Sequence, residues 1–185
     1  MGFKATDDFA LYAHEVLGVD EVDAAAAGTL SLWIRPVAAV SAGFIADRFS
    51  STKITLLSFV LLASGSLILA SGYIQTGMTV PLLLTVITAS LGIFALRGLY
   101  FAIMKEGKVP LALTGSAVGL VSLIGYTPDV FMGPLMGYLL DASPGAAGHQ
   151  HVFLVVSGFA VLGIVASSLF TRCATRLANK EVRVS

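Results

Sequence analysis

Residues 54–73 read ITLLSFVLLASGSLILASGY, twenty positions without a charge. At 1.5 Å per residue, a helix of that length covers about 30 Å, the thickness of a bilayer's hydrocarbon core. Moving outward from this run, comparable apolar stretches recur at roughly 24–46, 79–104, 110–140 and 151–171, with the first run itself spanning 53–74. The 185 residues are 56% hydrophobic and only 12% charged, with a mean hydropathy of +0.89. A soluble domain of this size needs far more charge to cover its surface. The expected fold is all-α: a polytopic helical transmembrane bundle of about five spanning helices over residues 24–172. The lipid bilayer is its first partner.

The charges orient the bundle. Taken alternately, the loops place Arg48, Lys53, Lys105, Lys108, Arg172, Arg176, Lys180 and Arg183 on one side. The other side holds Lys4 among the acidic Asp7, Asp8, Glu15, Asp20, Glu21, Asp23 and Asp141. Basic residues near helix ends stay in the cytoplasm, so residues 173–185 are expected to form a cytoplasmic tail. An integral protein of a bacterial inner (plasma) membrane is the implied location. The single Cys173 allows no internal disulfide. A net charge of zero argues against nucleic acid as a partner.

Residues 1–23 fit no span. They are short and acidic, and they lack the basic and apolar regions of a signal peptide. They read either as a short interfacial helix or as the outer end of a spanning helix, in which case the chain is a piece of a longer one.

The spans differ in kind. Those at 53–74 and 151–171 carry no charge between their ends and are expected on the outside of the bundle, facing lipid. The other three each hold one charge well inside: Arg35, Arg97 and Asp129. A charge at mid-membrane costs about 2.5–3.5 kcal/mol on insertion scales, so such residues usually face a cavity or a partner. Gly28, Ser31, Arg35, Ala38 and Ala42 form one face of the first span, and Gly119, Ser122, Tyr126, Asp129 and Gly133 one face of the fourth. Gly115/Gly119 and Gly133/Gly137 are small-xxx-small pairs suited to close helix packing. Pro128 and Pro134 interrupt the fourth span, and a break at Tyr126-Thr127-Pro128-Asp129 would free carbonyls beside Asp129.

Between the first two spans stands Gly43-Phe44-Ile45-Ala46-Asp47-Arg48-Phe49-Ser50-Ser51-Thr52-Lys53. This resembles the G-x-x-x-D-R-x-G-R-R/K signature that major facilitator superfamily transporters carry after the second helix of each six-helix half. Gly43, Asp47 and Arg48 match; Ser50 and Ser51 replace Gly and Arg, and Lys53 stands one place beyond the usual basic position. The chain thus resembles a partial six-helix half, the C-terminal one, starting late in the seventh helix. The resemblance implies a secondary active transporter whose other wall comes from an N-terminal half or from a second copy. With that wall absent, the chain alone is expected to insert without transporting.

Arg35 and Asp129 lie at similar depth by residue count, so a pair between them is feasible. It reads either as a static bridge or as a switchable one, broken by substrate or by a proton on Asp129. Ser90, Phe94, Arg97 and Phe101 share a helical face, which sets rings beside a guanidinium suited to carboxylate or phosphate. Arg97 equally reads as a snorkelling residue. Together with Tyr126 these residues line the expected path of a small anionic solute, an organic acid or a sugar derivative, with protons as a coupling partner. The alternative is a non-transporting helical scaffold or interaction subunit.

His149-Gln150-His151 reads as a solvated loop rather than a metal site, for want of a third ligand. Ser50-Ser51-Thr52-Lys53 matches S-x-x-K by chance at a helix junction. No phosphate loop, dinucleotide fingerprint or H-E-x-x-H occurs, so no cofactor, metal or enzymatic activity is expected.

Overall fold

Gly18, at φ 64°, turns the chain between its first two helices, α1 (Gly2–Glu15) and α2 (Glu21–Arg48). A side chain at this backbone angle would be strained, and glycine removes that penalty. Glu21 and Asp23 in the first turn of α2 complement its positive end. The computed structural model describes residues 2–75, 78–99, 102–107 and 109–184. After α2 come α3 (Ser51–Ala70), α4 (Thr79–Leu99), the short α5 (Ala102–Glu106), α6 (Thr114–Ala142) and α7 (Ala146–Val184). A 3-10 turn, Leu111–Leu113, leads into α6. The described residues contain no strand.

Among the described residues, five stretches are long and apolar enough to cross a membrane: Glu21–Arg48, Ser51–Ala70, Thr79–Leu99, Leu111–Ala142 and Ala146–Cys173. The chain is a polytopic helical membrane protein. Boundaries moved in places. The third span, expected to run to residue 104, is described as helix to Leu99 and again over α5, residues 100 and 101 between them lying outside the described residues. Residues 173–184, expected as a tail, continue α7 as one helix.

The packing departs from the expected sorting. α3 does not lie outside the bundle; it is packed along both α4 and α7, while α2 runs along α4 and α6 meets chiefly α7. A helix that is apolar all round suits the middle of a bundle as well as a lipid face. Small residues let α3 take that middle place. A Cβ at Gly65 would stand 2.9 Å from that of Ala89, and one at Gly92 2.6 Å from the Ser58 carbonyl oxygen. The α3 and α4 backbones therefore touch. In lipid, such contact supplies the attraction that a hydrophobic effect supplies in water. By contrast Gly115, Gly119 and Gly137 face open space, so the small-residue pairing expected on α6 makes no close contact there.

α2 uses its small-residue stripe as foreseen in type. Ser31, Ala38, Ala42 and Ala46 are buried, and the Ser31 and Ser90 hydroxyls share a 2.7 Å hydrogen bond linking α2 to α4. The other side of α2 exposes Trp33, Val37, Val40 and Phe44, and α6 exposes Leu120, Leu123, Ile124 and Val130. The break expected in α6 is absent, since the helix runs unbroken through Pro128 and Pro134. The Thr127 hydroxyl donates to the Leu123 carbonyl at 2.6 Å, next to the Ile124 carbonyl whose helical N–H donor Pro128 lacks.

α1 is built into the bundle. Phe9, Tyr12 and Ala13 are among its most buried side chains. Phe9 stacks on Phe153 of α7, with centroids 6.0 Å apart, and Tyr12 meets Phe153 edge-on at 5.7 Å.

Candidate functional site

α4 and α6 each bring one expected site residue to a common point. The Arg97 guanidinium lies over the Tyr126 ring, 5.8 Å from its centroid. A cation over an aromatic face is attracted by the ring quadrupole. Phe94, expected beside Arg97, is fully buried in the core; Phe101 lies outside the described residues. The ring that sequence spacing on one helix missed belongs to the neighbouring helix.

Arg35 is exposed on α2, and Asp129 is half-buried on α6 with its Oδ1 shielded from solvent. Each takes part in an interaction of its own within the protein. Their helices make at most slight backbone contact, so a bridge between them would rest on side-chain reach alone.

The loop motif falls where expected, at the junction of α2 and α3. Asp47 and Arg48 end α2, both exposed, and Lys53 is exposed in the first turn of α3. Ser50 caps α3, its hydroxyl accepting from the Lys53 N–H at 3.5 Å, which gives the S-x-x-K match a structural purpose. A Cβ at Gly43 would meet nothing within 4 Å, so this glycine makes no close packing contact among the described residues.

A second polar group was misread from sequence. His149 is not in a solvated loop: it sits in the first turns of α7, fully buried, while His151 is exposed. Its Nδ1 lies 3.3 Å from the Asp8 carboxylate and its Nε2 3.1 Å from Glu15 Oε2. Tyr12 meets the imidazole edge-on at 5.6 Å, and its hydroxyl donates to the Ile74 carbonyl at 3.4 Å. Burial holds the Tyr12 phenol above its ordinary pKa, so it remains a neutral donor. Asp8, Tyr12 and Glu15 recur at helical steps along α1, a legible face. What it faced, a histidine over 130 positions away, was not legible. The carboxylates approach opposite edges of the ring, so the three groups do not converge on a point as metal ligands would. No metal-binding cluster occurs among the described residues. Next to this group is a cavity of about 380 Å³ lined by Tyr12, Leu17, Gly72, Ile74, Gln75 and Gln150.

The chain resembles several membrane proteins. It is 39% identical over 80 residues to the inner membrane protein YihN of Escherichia coli (strain K12), covering 43% of this chain and 19% of that protein. Inner membrane protein YqcE of the same strain is 40% identical over 72 residues, 39% of this chain and 16% of that one. The probable nitrate transporter NarT of Staphylococcus haemolyticus (strain JCSC1435) is 29% identical over 162 residues, 83% of this chain and 38% of that protein. The chain thus spans between 16% and 38% of the length of these relatives. No family model and no solved structure matches it.

Proposed function

We propose that this chain forms part of a secondary active transporter for a small anionic solute, of the major facilitator type that its α2–α3 loop resembles. The observation that carries the reading is the Arg97 guanidinium held over Tyr126 between two membrane-length helices. A fixed cation at that place costs insertion energy and supplies a planar donor fork for an anion. Arg35 adds a second cation on the exposed α2, and Asp129 supplies a carboxylate for proton coupling. The similarity to a probable nitrate transporter over most of the chain supports an anionic cargo, and the similarity to inner membrane proteins supports that location.

On this reading the C-terminus is cytoplasmic. The uncovered apolar faces of α2 and α6, and the small share of its relatives that the chain spans, favour a path completed by further protein, either more chain or a second copy. Neither an enzyme nor a cofactor-bearing protein is proposed. The scaffold alternative gives no role to Arg97. Titration of the purified chain with small anions tests the proposal, with an Arg97→Gln variant as the control: anion binding that depends on Arg97 supports it.

A further inference from the structure

His149 is the most enclosed ionisable group that anion transport does not use. Its side chain is 0% exposed, that of Asp8 is 5% exposed, and that of Glu15 46%. We propose that Asp8, His149 and Glu15 form a proton-binding site that exchanges with water through Glu15 and whose occupancy fastens the end of α1 to α7.

The donor count carries the argument. A neutral imidazole donates from one nitrogen, and an imidazolium donates from both. Here each nitrogen faces a carboxylate oxygen, Nδ1 toward Asp8 and Nε2 toward Glu15. Only the protonated ring satisfies both acceptors together. The two partners differ in access. Asp8 is sealed inside, while Glu15 stands half in solvent at the last position of α1.

Proton release therefore has a direction. The Nε2 proton passes to Glu15 Oε2 and on to water, and the N–H electron pair stays on Nε2. The ring keeps its Nδ1–H donated to Asp8. The Nε2 lone pair then faces the Glu15 carboxylate, acceptor against acceptor, and that contact is lost. Glu15 lies three residues before Gly18, whose φ of 64° marks the turn on which the end of α1 can swing. The 380 Å³ cavity shares Tyr12 with this group.

Among the described residues, the ionisable groups touching the ring are Asp8, Tyr12 and Glu15, all from α1. Of the other helices packed on α7, α3 carries only Lys53, at its opposite end, and α6 carries Tyr126, Asp129, Tyr138 and Asp141. Asp141, the closest of these in sequence, is exposed at the α6–α7 turn.

Nitrogen-15 spectra of the imidazoles, taken on the 185-residue chain in detergent micelles across a pH series, test this. His149 is assigned through its ring contact with Tyr12. Once deprotonated, its ring is expected as the Nδ1–H tautomer, whereas a free imidazole favours Nε2–H. Asp8→Leu should switch the tautomer to Nε2–H. Glu15→Gln should keep it Nδ1–H and slow proton exchange between ring and water at least tenfold. A deprotonated His149 in the Nε2–H form in the unaltered chain would overturn the site, and that reading needs no variant to fold. Unchanged exchange in a folded Glu15→Gln protein would overturn the route through Glu15. No solute enters the measurement, so its outcome is separate from that of the transport proposal.

Discussion

The Arg97 guanidinium sits 5.8 Å from the centroid of the Tyr126 ring and ties α4 to α6 across the bundle. A partly desolvated pair of this kind contributes roughly 0.5–2 kcal/mol. Tyr126→Phe keeps the ring and should hold anion affinity within about twofold of the original. Tyr126→Leu removes the aromatic face; a loss of 0.5–2 kcal/mol corresponds to roughly two- to thirtyfold weaker binding. Equal affinities for the Phe and Leu variants would show that the ring plays no part in holding Arg97.

The α3–α4 contact yields a stability prediction. A methyl group at Gly92 would stand 2.6 Å from the Ser58 carbonyl oxygen and 2.8 Å from the Leu62 nitrogen, both backbone atoms that cannot step aside. Overpacking of this sort costs about 1–3 kcal/mol. Gly92→Ala should lower the thermal unfolding midpoint of the detergent-solubilised protein, while Gly119→Ala, with open space around it, should leave it unchanged or slightly raised. An unshifted Gly92→Ala midpoint would mean that α3 and α4 sit further apart.

Ser31 and Ser90 offer a double-mutant cycle. Both are fully buried, and their hydroxyls are 2.7 Å apart. Removing one leaves a buried hydroxyl without this partner, at a cost of about 1–3 kcal/mol; removing both should cost less than the sum of the single changes. Additive losses in urea or detergent unfolding would argue against a direct bond.

Topology is open to cysteine chemistry. In a Cys173→Ser background, Gly107→Cys should react with an impermeant maleimide only from the cytoplasmic side, and Ala146→Cys only from outside. The reverse pattern in intact cells would invert the orientation read from the charges.

Much of the architecture was legible because membrane spans leave a coarse signal. Each of the five long runs became a helix, since apolar length alone identifies a backbone that must bond to itself in lipid. The α2–α3 junction was also legible, where charged residues crowd a short turn. What failed depended on which helix lies beside which. α3 looked like a lipid-facing helix because it has no charge, yet Gly65 against Ala89 of α4, and Gly92 of α4 against Ser58 and Leu62, bring it close along α4, and no run of letters shows who sits opposite a glycine. Pro128 suggested a break, but a single threonine bond one residue before it accompanies an unbroken helix. At the candidate site, Arg97 and Tyr126 were each identifiable, while their contact was not. His149 was missed because its partners lie at the other end of the chain: without Asp8 and Glu15 in view, a histidine beside a glycine and a glutamine reads as loop.

Calorimetric titration of the solubilised chain with nitrate, phosphate, a monocarboxylate, a hexose phosphate and an uncharged hexose tests the central claim most directly. The account predicts saturable binding of at least one anion and none of the uncharged sugar. Arg97→Lys should weaken that binding although it keeps the charge, and Arg97→Gln should weaken it by roughly ten- to a hundredfold, the value of a charge-assisted hydrogen bond. Binding of the sugar alone, or anion binding that Arg97→Gln leaves intact, would contradict it.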